Sequence, residues 1–286
     1  TIKISELNWE NKYTGKPLIA IVKGKKLTPN KKEVDIDLSF PLTGEVTEKS
    51  FTDEFNDDAI YNLNVSISDS AGINGKSQSV KFITDKTEPT INIEGIKNEK
   101  YYDGNRDVII TTTDVNNDIN NVTVKKDGKD YSIGEFSKEG IERTLKYSFT
   151  EEGNYEVEVE SIDKAKNRKT SDNIFFTIDK QAPQLKIIDS NDGEDIVSGK
   201  HYNKFKNIEV ILTDNNLKSY TLKVNGKEEK FKDEENSKVL KYTLEANKDG
   251  VYEVSVGAID KSGNNLTEDK KEKVTSFVID TTKPIV

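Results

Sequence analysis

One stretch decides the fold of this chain, because its side chains alternate strictly between two chemical kinds: Gly153-Asn-Tyr155-Glu-Val157-Glu-Val159-Glu-Ser161-Ile-Asp163. Successive side chains of a β-strand point to opposite faces, so Tyr155, Val157 and Val159 face a core while the glutamates between them face water. In a helix the same side chains would be spread around the axis. The alternation therefore predicts a half-buried strand.

This stretch occurs three times. A tyrosine opens each copy and an aspartate follows eight residues later, at Tyr61 and Asp69, Tyr155 and Asp163, and Tyr252 and Asp260. A segment that ends in proline follows each copy, and these segments are Asp85-Lys-Thr-Glu-Pro89, Asp179-Lys-Gln-Ala-Pro183 and Asp280-Thr-Thr-Lys-Pro284. Self-similarity with a period of about 100 residues indicates tandem modules. We predict three modules, over 1–86, 87–180 and 181–286, the last with the start of a following linker.

A third landmark opens the modules. Thr1-Ile-Lys-Ile4 matches Thr90-Ile-Asn-Ile93, and Tyr13 and Gly15 match Tyr102 and Gly104 at the same offset. We take 1–4 and 90–93 as the first strands of their modules. Because linker-like segments bound the pattern, we expect the chain to be part of a longer array with flanking modules on both sides.

Short strands separated by turns fill each module. Apolar alternating runs are found at Val108–Thr113, Val122–Val124, Thr144–Phe149 and Ile174–Ile178, and turn signals such as Asp127-Gly128 and Asn225-Gly226 lie between runs. Six or seven short strands in about 90–100 residues are typical of an antiparallel sandwich. The predicted fold class is all-β, with three tandem immunoglobulin-like antiparallel β-sandwich domains in an elongated array.

The tyrosine at the head of the alternating strand supports this fold. Tyr155 and Tyr252 each come two residues after a glycine that marks a turn. In immunoglobulin-like sandwiches, a tyrosine near the start of the sixth strand donates its hydroxyl to backbone across the corner. The alternative is an ordinary core tyrosine.

The pattern Gly-x-Tyr-x-Val-x-Val, then Asp-Lys-x-x-Asn, then Ile-Asp-x-x-x-Pro, resembles the bacterial immunoglobulin-like repeats of large Gram-positive surface proteins. It is carried by Gly153–Asn167 with Ile178–Pro183, and by Gly250–Asn264 with Ile279–Pro284. The stretch Asp214–Gly226 also resembles the second-to-third strand region of such modules. The first module departs from the pattern, with Lys25 where the second module has Asp114, Ala59 where the glycine is expected and Ile73 where the asparagine is expected. A long insert, Leu27–Phe51, follows its second strand.

The resemblance implies an extracellular location at the bacterial cell surface, either associated with the cell wall or secreted. It leaves three functions open, because such modules serve several kinds of protein. The first is a semi-rigid stalk that projects an adhesive or enzymatic tip. The second is direct adhesion to a host protein or glycan, with the first module as the best candidate. The third is an accessory module of a secreted hydrolase.

Composition excludes several chemistries. The chain has no Cys, which excludes disulfides, thiol nucleophiles and Cys–zinc sites. Its single histidine, His201, takes the place of Tyr101 of the second module and is expected to be a surface residue. With no glycine-rich phosphate loop and no HExxH motif, we predict that the chain is not an enzyme. A net charge of −9 argues against nucleic acid as a partner, and no apolar run reaches the ~20 residues of a membrane span.

Calcium at the joints between modules is the chief candidate for a site. Calcium takes six to eight oxygen ligands, largely from Asp, Glu, Asn and backbone carbonyls. The topology of the sandwich brings the linker aspartate of one module beside two turns of the next. The candidate ligands are Asp85, Asp114, Asp118, Asp163 and Asn167 at the first joint, and Asp179, Asp214, Asn216, Asp260 and Asn264 at the second. The alternative is that these residues only form turns, as Asp and Asn often do.

One aromatic residue has no counterpart in the other modules. Trp9 stands where the second module has Asn98, so it is a candidate ligand contact, and otherwise it caps the core of its module. The expected partners are the neighbouring modules of the same polypeptide and a host protein or glycan. Net negative charge with dense surface Lys and Glu predicts a monomer.

Overall fold

The computed structural model of the chain describes residues 2–5, 18–29, 31–42, 48–51, 55–68, 72–137, 140–232 and 238–285. The regular elements in these ranges are β-strands, so the prediction of an all-β fold is confirmed. All hydrogen-bonded strand pairs lie within 2–84, 90–178 or 184–279. None of the described stretches forms a helix long and apolar enough to span a membrane.

Twenty-three strands make up these three groups. The first group has β1 (Ile2–Ser5), β2 (Leu18–Leu27), β3 (Glu33–Leu42), β4 (Glu48–Phe51), β5 (Ala59–Ser68) and β6 (Gln78–Thr84). The second has β7 (Thr90–Glu94), β8 (Lys100–Tyr102), β9 (Arg106–Thr113), β10 (Asn117–Lys126), β11 (Lys129–Asp130), β12 (Glu142–Phe149), β13 (Gly153–Asp163), β14 (Arg168–Thr170) and β15 (Ile174–Ile178). The third has β16 (Gln184–Asp189), β17 (His201–Tyr202), β18 (Lys206–Thr213), β19 (Leu217–Val224), β20 (Lys227–Glu228), β21 (Val239–Ala246), β22 (Gly250–Asp260) and β23 (Lys273–Ile279).

The second and third groups are immunoglobulin-like sandwiches with the same strand order. One sheet has three antiparallel strands, in the order β7-β9-β12 and β16-β18-β21. The other has five in line, in the order β11-β10-β13-β15-β8 and β20-β19-β22-β23-β17, and β14 adds to β13 in the second sandwich. The last strand of each five-stranded sheet pairs in parallel with a short strand from the start of the module.

The alternating stretch lies at the centre of the second sandwich and forms β13. Tyr155, Val157 and Val159 are buried in the core, while Glu158 is exposed and its neighbours Glu156 and Glu160 are half-buried. Beta-strand β13 pairs with β10 on one side and β15 on the other. The period-two pattern therefore sets which face of the central strand is covered by the opposite sheet.

The first module differs from the sequence-based alignment. Strand β2 pairs with β5 along its length, as β10 pairs with β13. Lys25 lies opposite Asn62, the residue after Tyr61, and Lys125 lies opposite Glu156, the residue after Tyr155. Matching Lys25 to Asp114 was therefore wrong, because β2 is the counterpart of β10 and not of β9. The presumed insert is not an addition after a second strand, since its residues form β3, which pairs with all of β2, and β4.

The match of residues 1–4 to 90–93 also misplaced a strand. Strand β1 pairs with β4, the strand that precedes β5, whereas β7 pairs with β9. In the second sandwich it is β9 that pairs with β12, the strand before β13. Thus β1 takes the position of β9. A four-residue Thr-Ile-x-Ile match fits many strands, and only the pairing partner distinguishes them.

The tyrosine corner is present in all three modules. The hydroxyls of Tyr61, Tyr155 and Tyr252 donate to the carbonyl of the residue four positions earlier, over 3.3, 2.8 and 3.0 Å. Each tyrosine also stacks on a phenylalanine of the last strand, with ring centroids 4.9 to 5.5 Å apart, and these partners are Phe82, Phe176 and Phe277. The corner thus ties the turn before the central strand to the core.

Replacing Tyr155 with Phe tests the corner. The variant Y155F keeps the stacked ring and removes the hydroxyl that donates to the Glu151 carbonyl. We expect the free energy of unfolding of the second sandwich to fall by about 0.5–1.5 kcal/mol, the usual net worth of such a hydrogen bond. Chemical denaturation measures it, with Y101F as the control. An equal effect of the two substitutions would contradict the corner's role.

Candidate functional site at the joints

Two linkers join the three sandwiches. The first joint is residues 85–89, between β6 and β7, and the second joint is residues 179–183, between β15 and β16. The prolines that end them, Pro89 and Pro183, are buried. Proline fixes its own φ and removes a backbone donor, so each linker stops pairing with the preceding sheet before the next sheet begins.

An acidic side chain of the preceding sandwich caps each linker from below. At the first joint, the Asp58 carboxylate accepts the backbone N–H of Lys86 over 2.8 Å and the hydroxyl of Thr87. At the second joint, Glu152 accepts the backbone N–H of Lys180 and the side-chain amide of Gln181, both over 2.8 Å. We call this feature the lower cap.

The linker aspartate turns the chain. Asp85 Oδ1 accepts the backbone N–H of Thr87 over 3.1 Å, and Asp179 Oδ1 accepts that of Gln181 over the same distance. This contact to the residue two positions on is an Asx-turn, which aspartate forms readily. It leaves the second carboxylate oxygen and the backbone carbonyl of each aspartate for the following sandwich.

Two asparagine side chains of the following sandwich take those remaining acceptors. At the first joint, Asn116 Nδ2 donates to Asp85 Oδ2 over 2.5 Å and Asn167 Nδ2 donates to the Asp85 carbonyl over 3.1 Å. At the second joint, Asn216 and Asn264 make the same bonds to Asp179, over 2.6 and 2.8 Å. We call this pair of asparagines the amide clamp.

Buried carboxylates hold the clamp in place. Asp163 is fully buried, and it accepts both the backbone N–H and the side-chain amide of Asn167, over 2.8 and 2.6 Å. Asp260 is equally buried and makes the same two bonds to Asn264, each over 2.8 Å. A buried carboxylate needs such donors, because leaving it without them carries the full cost of desolvation. The carboxylate therefore fixes the direction in which the asparagine reaches the linker.

A second pair of aspartates orients the other half of the clamp. Asp114 Oδ1 and Asp214 Oδ1 each accept the backbone N–H of the clamp asparagine two residues later, over 2.6 Å. Burial raises the pKa of both carboxyls above its usual range, and the neighbouring aspartates of each joint raise it further. The joints therefore hold negative charge at an energetic cost.

The candidate calcium ligands fall into two kinds. At the first joint, Asp85, Asp114 and Asp163 each bring one carboxylate oxygen within 4.8 Å of the other two, a spacing that a metal ion could bridge. Among the residues that the structure describes, this is the one such group of three acidic, His or Cys residues. Asp118 lies apart from it, with its carboxylate 3.4 Å from Lys166 Nζ. Asn167, Asn216 and Asn264 act as hydrogen-bond donors to the linker.

Two parts of the joints were not predicted from the sequence. Asn116 occupies the clamp position of Asn216, and the signal was its place two residues after Asp114, as Asn216 follows Asp214. The lower caps were also missed, although an acid precedes the first residue of the central strand in every module, at Asp58, Glu152 and Asp249. Trp9 lies outside the described residues, and His201 is exposed at the start of β17.

The two joints differ in their lining. A cavity of about 270 Å³ lies at the first joint, between apolar side chains of the first sandwich (Leu27, Ile60, Ile83) and of the second (Val115, Ile141). At the second joint, Asn215 follows Asp214 as Val115 follows Asp114. Lys238 replaces Ile141, since its carbonyl accepts the backbone N–H of Asp214 as that of Ile141 accepts the N–H of Asp114. There, Lys261 of the third sandwich instead places its Nζ 5.2 Å from the ring centre of Tyr101.

No family model matches the sequence, and no curated protein matches it. Solved structures of tandem sandwich domains align with it at low identity. The fibronectin(III)-like modules of Clostridium thermocellum CbhA are 16% identical, with a TM-score of 0.28, over 66% of this chain and 93% of that one. Titin A168169 is 12% identical, with a TM-score of 0.36, over 69% and 100%. The N-terminal eight Ig domains of Down Syndrome Cell Adhesion Molecule are 13% identical, with a TM-score of 0.30, over 91% and 36%.

Removing one clamp asparagine tests the hydrogen bonds of the second joint. N264A takes away the donor to two linker carbonyls and one of the donors to buried Asp260. We expect a loss of about 1–3 kcal/mol in the free energy of unfolding of the third sandwich, because a buried carboxylate is left with fewer partners. The control N121A removes an exposed amide bonded over 3.3 Å to Glu160. Equal losses in the two variants, measured by chemical denaturation, would contradict the assignment.

The raised pKa of Asp114 gives a pH prediction. A carboxyl whose pKa is higher in the folded than in the unfolded protein favours folding at low pH, and this contribution is lost as the pH rises through the folded-state value. We therefore expect D114N to stabilise the protein more at pH 7 than at pH 4. The stabilisation is the gain in free energy of unfolding of D114N over the unmodified chain at the same pH. Thermal unfolding at both pH values measures this, with D130N, on exposed β11, as the control. A D114N variant less stable than D130N at pH 7 would contradict the prediction.

Proposed function

We propose that this chain is a structural segment of a bacterial cell-surface protein, a semi-rigid stalk that projects an adhesive or enzymatic tip. The observation that carries the proposal is that both joints are closed by the same set of bonds. The lower cap binds the two residues that follow each linker aspartate. The amide clamp of the following sandwich binds the aspartate itself. A linker whose donors are bonded on the lower side and whose acceptors are bonded on the upper side has few conformations left.

The mechanism is mechanical. A free linker of five residues with one proline would let adjacent sandwiches tilt over a wide range. At the second joint, the clamp alone provides three hydrogen bonds between the linker and the third sandwich, from Asn216 to Asp179 and from Asn264 to Asp179 and Gln181. At about 0.5–1.5 kcal/mol each, these bonds exceed thermal energy several-fold together, and they oppose bending. Reach and stiffness then follow from the number of sandwiches.

Direct adhesion is the second candidate, and the apolar cavity of the first joint is the observation on its side. Ile83, Val115 and Ile141 are about half exposed around it. A host-protein or glycan array tests this function. Binding that is lost in a V115N/I141K variant, which carries the residues of the second joint, would favour adhesion over a passive stalk.

Small-angle X-ray scattering tests the stalk. Sandwiches of about ten-residue strands at ~3.4 Å per residue are about 35–40 Å long, so three in line should give a maximum dimension near 120 Å. We expect this dimension for the unmodified chain and a shorter average with a broader ensemble for D85A/D179A. The control is D130A, which removes an exposed aspartate away from the joints. A maximum dimension well below 120 Å for the unmodified chain, as for a compact particle, would contradict the proposal.

The cellular part of the proposal needs a separate test. An antiserum raised against the chain should label intact cells of the organism that encodes it, and external protease should remove the label. A signal confined to the interior of the cell would rule out a surface stalk and leave the joint mechanics unaffected.

Calcium at the joints stays a proposal beside the stalk. The three carboxylates of the first joint meet the spacing, and calcium would relieve the cost of gathering Asp85, Asp114 and Asp163. If it binds, equilibrium dialysis at millimolar calcium shows uptake that D114N abolishes, and EDTA broadens the scattering ensemble of the unmodified chain. If the unmodified chain takes up no more calcium than D114N, there is no calcium site at the joint. The hydrogen bonds of the joint are then the whole mechanism.

A further inference from the structure

The lower end of the third sandwich repeats half of a joint. Asp249 accepts the backbone N–H and hydroxyl of Thr281, over 3.0 and 2.8 Å, and the hydroxyl of Thr282 over 2.8 Å. Asp280 Oδ1 accepts the backbone N–H of Thr282 over 3.1 Å. These are the lower cap and the Asx-turn found at residues 85–89 and 179–183. Residues 280–284 therefore form a third linker already shaped like the other two.

The third linker differs in what remains exposed. Asp85 and Asp179 are half-buried and Pro89 and Pro183 are buried, because the following sandwich covers them. Asp280 and Pro284 are exposed. In the part of the chain that the structure describes, no hydrogen bond reaches Asp280 Oδ2 or its carbonyl, the two acceptors that the amide clamps use at the other joints.

We propose that this face, formed by Asp280, Thr281, Thr282 and Pro284, is a docking site for a further sandwich that carries an amide clamp. The partner is defined by its chemistry: it has one side-chain amide in the turn after the strand that matches β9 and one in the turn after the strand that matches β13, each held by a buried aspartate. The same half-interface is occupied twice within this chain, and this continuity identifies the occupant. The inference rests on the proposed role of the joints.

The fit is selective, because the described part of the first sandwich lacks the second amide of the clamp. Asn74 bridges Ser68 as Asn265 bridges Ile259, which places Ile73 at the position of Asn264. Ile73 is 70% exposed and has no side-chain amide. The third linker should thus accept a sandwich like the second or third, and reject one like the first. The chain should not join head to tail with copies of itself through this face.

One contact of the second joint is not part of the proposal. Tyr101, which lies beneath Lys261 there, is replaced by His201 in the third sandwich. The ring that receives a lysine at the second joint is therefore absent from the new face. The amide clamp, and a partner that buries Pro284 as Pro89 and Pro183 are buried, remain as its defining contacts.

The test extends the full chain by a second copy of 184–286 placed directly after Pro284. Because the chain has no Cys, spin labels can be placed at chosen sites. One pair of labels spans the second joint and is placed at K146C and K241C. Another pair spans the new joint and is placed at K241C and at the same position of the appended copy. Double electron–electron resonance then gives a distance distribution for each joint.

We expect the two distributions to be equally narrow. D280A should broaden the new joint by about twofold or more, since an unclamped short linker behaves as a tether. D179A should broaden only the second joint, and N264I in the appended copy, which mimics the first sandwich, should broaden only the new one.

Two results would overturn the inference. If the new joint is broad in the unaltered protein, or if D280A has no effect while D179A broadens the second joint, the third linker is not a docking site and the proposed function stands. If D179A also leaves its joint narrow, the amide clamp does not set stiffness, and the proposed function fails together with the inference.

Discussion

The structure depends on one constraint, a fully buried aspartate that must keep its hydrogen-bond donors. Asp163 and Asp260 end the central strands of their sandwiches, and each is satisfied by the backbone and side chain of an asparagine four residues on. That requirement turns the asparagine amide toward the linker. A residue in the interior of one sandwich is thereby connected, through its asparagine, to the linker that leads to the neighbouring sandwich.

The sequence predicted most of this arrangement. The alternation at Tyr155 identified the central strand, and the invariant spacing from Tyr to Asp placed Asp163 and Asp260 at its end. Topology then brought the linker aspartates beside them. The role of the asparagines was not predictable, because an amide offers both an oxygen and an N–H₂ group, and only its neighbours decide which is used. The strand order of the first module was missed because a four-residue match carries no information on pairing partners.

The lower caps could not be predicted from the residues of the following module. Asp58, Glu152 and Asp249 precede the central strand, at the opposite end of the sandwich from the turns that hold the clamp, so they belong to the preceding module. Together, the lower cap and the amide clamp form hydrogen bonds to the linker from the preceding and from the following sandwich. The two joints share these bonds but differ in lining, apolar at the first and polar at the second, which gives the first joint the more distinctive surface.

Residual dipolar couplings measure the central claim most directly, namely that the hydrogen-bonded linker makes neighbouring sandwiches one rigid body. Backbone amide couplings of 90–178 and of 184–279, recorded in one weakly aligned sample, each define an alignment tensor. The account predicts tensors of the same magnitude and orientation when both sandwiches are placed as in the structure. Tensors of clearly different magnitude would show that the sandwiches reorient independently, and would contradict the claim.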